Sequence, residues 1–282
     1  MRITLDVLEE FLKEDHAQSD SLAKLLYNSK QEITVSFIAK ATGVVSGVET
    51  AMSMMKNSAP TIRYNIVKES QKHVNRGDVI ASVKGKVVDI LRTYRVALNI
   101  IERMSGIASS ANKYVLELRN TDSIVVSRRS LTPSIRELEV KAINDGGASL
   151  FGDNLNDIMI LSKEHLALYD SITNACEIID SKNKLNNPYW IEVEDLDEFY
   201  EASSSSCYGI IMINFNHDMI DEALELNTNG KILALDNKNI TVANIRSYAL
   251  KNIKYIFVPC TTLGYKALDV EFKALQRLKK VK

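Results

Sequence analysis

The sequence is poor in the residues that build metal centres and covalent cross-links. Its 282 residues hold three cysteines, Cys176, Cys207 and Cys260, and four histidines. The cysteines are odd in number and far apart, which excludes a CxxC metal pair and offers no disulfide framework. The histidines show no HxxxH-type spacing, so a protein-built metal site is not expected. A reducing, cytoplasmic compartment is the default for such a chain. No run approaches the roughly 18 apolar residues of a spanning helix. Met1 to Asp15 sets acidic residues within its apolar pattern and lacks the basic and apolar regions of a signal peptide. Charge of one sign is missing too: 35 Lys+Arg face 36 Asp+Glu, a formal net charge of −1. That excludes nucleic acid or an anionic membrane surface as the main partner. Any site for an anion must be local.

What is present is ordinary globular chemistry: 45% hydrophobic and 25% charged residues with only four prolines, enough apolar chain for one large core or two modest ones. Leu8, Phe11 and Leu12 recur at helical spacing, and Leu22, Leu25 and Leu26 follow the capping types Ser19 and Asp20. The period then changes. Ile33 to Ile38 reads as a strand, Gly43 to Gly47 as an extended turn-rich piece, and Val48 to Met55 as a helix. Ile62 to Ile66 and Val79 to Val83 add short strands around Arg76-Gly77-Asp78, which reads as a turn. From Ile90 to about Leu118 a long helix is expected, buried on more than one side because Val96, Ile100, Leu98, Met104 and Ile107 do not share one face.

Downstream, apolar runs recur at Ser123–Val126, Asp157–Leu161, Tyr189–Val193, Gly209–Ile213, Lys231–Leu235 and Lys254–Val258, about 20 to 34 residues apart with amphipathic helices between them. That spacing is too long for hairpins and fits parallel strands joined by crossover helices. The expected architecture is α/β: an N-terminal α/β sandwich domain over residues 1–104 and an incomplete α/β barrel of seven-stranded type over 105–264. A terminal helix over 265–282, with Leu268, Phe272, Leu275 and Leu278 on one face, is expected to pack back on the first domain.

In such a barrel the reaction centre lies at the C-terminal ends of the strands. This selects Ser127, Arg128, Arg129 and Ser130; Ser162, Lys163 and His165; Glu192 and Glu194; Asn214 and Asn216; Asp236, Asn237 and Lys238; and Cys260, Thr261 and Thr262. Arginine, carboxylates and hydroxyls on one rim suit a small anionic molecule, because guanidinium groups bind carboxylate or phosphate bidentately.

The stretch Arg95-Val-Ala-Leu-Asn-Ile-Ile-Glu-Arg-Met-Ser-Gly-Ile-Ala-Ser109 resembles the quinolinate phosphoribosyltransferases, or carboxylating nicotinate-nucleotide pyrophosphorylases, whose pattern is ER-x-ALN followed by SGIAT. The likeness continues through Thr132-Pro133, Arg136, Glu139, Gly146-Gly147, Leu155, Asp157, Glu192-Val193-Glu194 and Lys266 to Asp269, and the related ModD proteins are also similar. The resemblance implies transfer of phosphoribose from phosphoribosyl pyrophosphate to quinolinate, with Mg²⁺ entering with the pyrophosphate. It also implies a homodimer in which Arg95 completes the neighbour's site. By this correspondence Glu192 and Glu194 are catalytic carboxylates. Arg95, Arg129, Arg128, Ser130, Ser162, Lys163 and Asn214 bind substrate, and Asn237, Lys238 and Asn239 occupy the phosphate loop.

The sequence departs from the family pattern where cations are expected. Ser130 and Ser162 stand for lysines, Phe151 and Gly152 for a His-Arg pair, Asn214 for an aspartate, Ser134 for a glycine, and Pro259 for a phosphate-holding glycine. Each lost charge-assisted hydrogen bond is worth about 1.5 to 3 kcal/mol. Two readings follow: a phosphoribosyltransferase with a remodelled acceptor or phosphate site, or a catalytically inactive paralogue acting as a ligand-binding or partner subunit.

Overall fold

The computed structural model describes residues 5–15, 20–28, 30–128, 130–152, 158–185, 187–258 and 262–275. Ser19, Arg129, Leu155, Asp157, Pro259, Cys260, Thr261 and the segment from 276 onward lie outside the described residues. The chain forms two compact units, Met1–Asn112 with Leu131–Gly147 and Gly264–Lys282, and Lys113–Ser130 with Ala148–Leu263.

The first part of the chain runs α1 (Leu5–Glu14), α2 (Ser21–Leu26), β1 (Glu32–Ala39), β2 (Gly43–Val44), α3 (Val48–Ser58), β3 (Arg63–Ile66), β4 (His73–Val74), β5 (Val79–Lys86) and α4 (Val87–Glu117). Asp20 opens α2 by accepting the Ala23 N–H at 2.8 Å, as its residue type implies. Gly77, with φ +97°, makes the turn at Arg76-Gly77-Asp78. Along α4, Val96, Leu98, Ile100, Met104 and Ile107 are all buried, which accounts for the helix having no single apolar stripe.

The second part runs β6 (Ile124–Ser127), α5 (Arg136–Asp145), β7 (Ser149–Leu150), β8 (Met159–Leu161), α6 (Lys163–Leu166), α7 (Ile172–Lys182), β9 (Tyr189–Val193), α8 (Leu196–Ser204), β10 (Gly209–Ile213), α9 (His217–Leu226), β11 (Ile232–Asp236), α10 (Ile245–Ala249), β12 (Tyr255–Val258) and β13 (Val270–Ala274). Ser171, Asp195 and Asn216 cap α7, α8 and α9 with side-chain oxygens that accept backbone N–H groups at 2.8–3.1 Å.

Seven parallel strands form one sheet in the order β7-β6-β12-β11-β10-β9-β8. Six of them answer the six apolar runs in the sequence. The seventh, β7, has only two residues, too short to leave a periodic signal. On a flat sheet β7 and β9, five strand steps apart, would be separated by about 24 Å. Yet the ring of Phe151, next to β7, lies 5.0 Å from that of Trp190 on β9. The sheet is therefore curled into a half-barrel. Its concave core holds Val126, Phe151, Trp190, Ile211, Ala234 and Phe257, with Ile124, Ile160, Ile213, Ile232 and Tyr255 packed against them. These are alternate residues of each strand, so one parity faces the interior throughout.

In the first unit the antiparallel sheet has the order β13-β1-β5-β3, with Phe37 opposite Phe272. The expected terminal helix is thus corrected over 270–274. Val270, Phe272 and Ala274 alternate along an edge strand, and Phe272 packs edge-on against Phe37 at 5.8 Å and against Tyr94 at 4.4 Å. The spacing that suggested a helix, Leu268 to Phe272, is also compatible with a strand entered from a buried anchor, because Leu268 is buried ahead of β13.

The SGIA stretch turns out to be a docking surface within this unit. The Ser105 Oγ accepts the Ser46 N–H at 2.9 Å, and the Ser109 Oγ accepts the Val44 N–H at 2.8 Å, so α4 satisfies the backbone of the 43–47 segment. Gly106 leaves room for residues 265–267: a Cβ there would lie 2.7 Å from the Lys266 O and 2.8 Å from the Ala267 Cα. Alanine favours a helix by about 1 kcal/mol, but backbone atoms cannot rotate aside, and overpacking costs about 1–3 kcal/mol. Gly106→Ala is expected to lower the urea midpoint despite its better helix propensity; an unchanged or raised midpoint would show that the 265–267 crossing yields easily.

Candidate active site

The parity that fills the half-barrel continues to its C-terminal rim. Following Ile124 and Val126 comes Arg128; following Ile160, Ser162; following Trp190, Glu192; following Ile211, Ile213; following Ile232 and Ala234, Asp236. Among the described residues, one cation, two carboxylates, one hydroxyl and one apolar side chain thus stand in the layer above the aromatic floor.

Arg128 and Asp236 form an ion pair through Nη2 and Oδ1, with side-chain exposures of 34% and 14%. Their strands are separated by β12, so the pair reaches across two strand steps of the concave face. The Arg128 Nε is buried and has no hydrogen-bond partner among the described residues. Burial pushes the Asp236 carboxyl above its ordinary value, and this outweighs the opposing pull of Arg128. Burial likewise raises Glu192; the Lys163 N–H, donating to its Oε2 at 3.3 Å, acts against this, while the negative charges of Glu164 and Asp236 add to it. Glu192 and Asp236 therefore share one electrostatic environment.

The remaining candidates sort by what their side chains already hold. The exposed Lys163 Nζ pairs with the Glu194 Oε1 at 3.0 Å, a contact that raises the lysine. The Ser162 Oγ and the Ser162 N–H both meet the exposed His165 ring at the start of α6. Asn214, at φ +57°, donates its backbone N–H to the Asp236 O at 2.8 Å and accepts the Lys238 N–H at 3.4 Å. The buried Asn237 amide donates to the Phe215 O and accepts the Asn239 N–H, each at 2.8 Å. Asn214 and Asn237 thus brace the loops after β10 and β11 to each other, while Lys238 and Asn239 are exposed. Ser130 is exposed, and its carbonyl accepts from the Thr262 Oγ1 at 2.7 Å. Arg95, in the first unit, is exposed on α4, with Nη2 3.1 Å from the Tyr94 hydroxyl.

The structure brings Arg128, Glu192 and Asp236 together and leaves Lys163 and Lys238 on the exposed edge. Asp236 was legible only as a strand-end residue; its register with the apolar lining of β11 was the signal that it faces Arg128. Phe151, which the sequence resemblance sets against a family histidine, is a floor residue in edge-to-face contact with Trp190 and Tyr255.

A carboxylate whose folded pKa lies above its unfolded one stabilises the fold only while protonated. That contribution is complete below the unfolded value and is lost as pH rises through the folded one. Glu192→Gln is therefore expected to raise stability to urea at pH 7, with the gain disappearing as pH falls below the ordinary value of 4.5. Denaturation midpoints at the two pH values test this, and a loss of stability at pH 7 would contradict it.

Known proteins match nearly the whole chain. Residues 20–105 match the N-terminal domain of quinolinate phosphoribosyl transferase and residues 107–273 match its C-terminal domain. A probable nicotinate-nucleotide pyrophosphorylase (carboxylating) of Archaeoglobus fulgidus is 28% identical over 87% of this chain and 96% of its own length. A probable protein of the same name from Bacillus subtilis is 25% identical over 94% of this chain and 91% of its own. The crystal structure of NadC from Streptococcus pyogenes is 25% identical and superposes with a TM-score of 0.90, covering 98% of this chain and all (100%) of that one. A curled seven-stranded parallel sheet in one unit and an antiparallel sheet in the other make up the fold shared with that structure. With both domains matched in order, the chain belongs to the quinolinate phosphoribosyl transferase family.

Proposed function

We propose that this protein is a phosphoribosyltransferase that moves phosphoribose from phosphoribosyl pyrophosphate to an anionic nitrogen heteroaromatic of the quinolinate type, serving pyridine nucleotide and hence NAD biosynthesis. The observation that carries the reading is the convergence of Arg128, Glu192 and Asp236 on one face of a half-barrel whose relatives carry enzyme names over its full length. Nothing in the comparisons supports the non-catalytic alternative. Among the described residues no helix is long and apolar enough to cross a membrane. A cytoplasmic setting suits the unpaired, buried Cys176 and Cys207.

In this reaction the ring nitrogen forms a bond to C1′ of the ribose as the C1′–O bond to diphosphate breaks, and that electron pair leaves with the diphosphate. With quinolinate as acceptor, loss of carbon dioxide follows. Positive charge develops at C1′ on the way, and a fixed carboxylate nearby lowers its energy most where water is excluded. Glu192 fits that role because it is partly desolvated before substrate arrives. Arg128 supplies a guanidinium edge for an acceptor carboxylate. Lys238 and Asn239, exposed on the loop after β11, and Lys163 face the more solvated side, where phosphate groups are held with less desolvation.

The donor set also fits Mg²⁺ carried in by the diphosphate. Glu192 and Asp236 offer hard carboxylate oxygens, and magnesium is commonly held by one or two carboxylates with phosphate oxygens completing its shell. A dedicated protein cage is not needed, and among the described residues no cluster of three or more ligating side chains forms one. Held there with the diphosphate, the ion would supply charge neutralisation for the leaving group.

Purified protein with Mg²⁺, phosphoribosyl pyrophosphate and a panel of pyridine carboxylates including quinolinate should release pyrophosphate in an acceptor-dependent way. Glu192→Gln should lower kcat by roughly 10²-fold or more; no release with any acceptor would refute the reading. A homodimer sharing its sites through Arg95 makes a separate demand. Inactive Arg95→Ala and Glu192→Gln subunits, mixed and re-equilibrated, should regain up to about a quarter of wild-type activity, because half of the dimers then hold one intact site. Absence of recovery in a dimer shown to exchange would place Arg95 in its own subunit's site.

A further inference from the structure

We infer that Tyr94 is the positioning residue of Arg95: its ring and hydroxyl hold the Arg95 guanidinium in one orientation before an anionic substrate arrives, and the edge strand β13 seats that ring through Phe272. The inference rests on the phosphoribosyl-transfer reading, in which Arg95 meets an anionic substrate. It holds whichever subunit's site Arg95 enters.

Arg95 is exposed on α4. A long exposed side chain samples many rotamers, and ordering it on binding costs affinity. Residues i and i+1 on a helix do not face each other, so a contact between residues 94 and 95 is not a by-product of the helix. Yet the Arg95 Nη2 donates to the Tyr94 hydroxyl at 3.1 Å, and the Arg95 Cζ lies over the Tyr94 ring at 5.2 Å from its centroid, within the range of a cation–π contact. One neighbouring ring supplies both an acceptor and a π face to the same guanidinium.

The Tyr94 ring is itself held. It packs on Phe272 with centroids 4.4 Å apart, and Phe272 packs edge-on against Phe37 at 5.8 Å. Phe37 is fully buried on β1 and stands opposite Phe272 in the sheet register. The chain that carries Phe272 is fixed along α4: the Leu268 N–H donates to the Glu102 O at 3.1 Å, and the Val270 N–H to the Glu102 Oε1 at 3.0 Å. A column of rings thus runs from the core to the surface, and the guanidinium ends it. Aromatic pairs have preferred geometries, so the column gives Tyr94 a direction that it passes to Arg95.

The chemistry of the brace matters as much as its rigidity. Arg92, Arg103 and Arg128 pair with Asp89, Glu139 and Asp236. A carboxylate partner cancels charge that an incoming anion would meet. A phenol hydroxyl and a ring face orient a guanidinium while leaving its charge and its other N–H donors for a phosphate or carboxylate. Tyr94 orders Arg95 without acting as its counter-ion.

The test reads the Arg95 side chain directly and then its effect on turnover. In full-length protein carrying isotope-labelled arginine, the Arg95 Nε–H resonance, identified by its loss in Arg95→Lys, should show the relaxation of a restrained side chain. Tyr94→Leu should release it; Phe272→Leu, which keeps apolar volume on β13, should release it in part. Tyr94→Phe keeps the packing on Phe272 and isolates the hydroxyl should Tyr94→Leu not fold; it too should loosen the resonance. With Mg²⁺, phosphoribosyl pyrophosphate and a pyridine carboxylate active in the transfer assay, Tyr94→Leu should raise by roughly tenfold the KM that Arg95→Lys raises, with kcat little changed. Added to Arg95→Lys it should change little more, because its effect passes through Arg95. An Arg95 resonance already mobile in the wild type, one unmoved by both Tyr94 variants, or full additivity of Tyr94→Leu with Arg95→Lys overturns the inference and leaves the transfer reading standing. Restraint lost in the Tyr94 variants of a protein that releases pyrophosphate with no acceptor upholds the brace and removes the transfer reading.

Discussion

The contact between the Phe151 and Trp190 rings closes a distance that a flat sheet would leave at about 24 Å. Curling forces every second side chain of seven strands into one volume, and aromatic rings fill it at low conformational cost. Trp190 fits because its neighbour on β10 is Gly209, whose missing Cβ leaves space against the indole ring. Once the floor is set in this way, the strand period fixes what stands above it: Arg128, Ser162, Glu192, Ile213 and Asp236, one step further along the same face. The chemistry of the rim is a consequence of the packing below it.

That dependence gives the rim's charges their character. Glu192 and Asp236 are raised by burial, which means the fold carries them against the preference of a carboxylate for water. A paired and partly buried Arg–Asp couple seldom adds net stability over an apolar pair of equal volume. On the proposed function the couple serves recognition of an anionic acceptor more than folding. Exposed pairs such as Lys163 with Glu194 are weak by comparison, because solvent screens them and long side chains lose entropy in forming them.

Much of this was legible in the sequence, and the parts that were not have physical reasons. β9 and β10 appear at Tyr189–Val193 and Gly209–Ile213, where apolar runs bounded by capping residues marked them. β7 escaped because two residues carry no period. β13 was read as a helix because an edge strand with intermediate burial on Glu271 and Phe272 offers only a weak alternation, and a neighbouring leucine at helical spacing completed the wrong pattern. At the site, residue types gave the candidates but not their pairing. Whether Lys163 meets an incoming phosphate or Glu194, and whether Arg128 is free or held, depends on side-chain directions that only the curled sheet determines.

The most recognisable stretch of the chain, Ser105 to Ser109, is the part whose role here is most plainly structural. Its hydroxyls satisfy the backbone of the 43–47 segment, and Gly106 admits the 265–267 crossing. Such a stretch is constrained by backbone contacts, which no other side chain can supply without moving neighbouring chain. Rim residues are constrained only by what they bind. A change in what the rim binds would therefore leave the helix motif intact. Family membership is thus carried by residues whose neighbours are backbone, whereas the choice of acceptor, on the proposed function, would be carried by the charges of the rim.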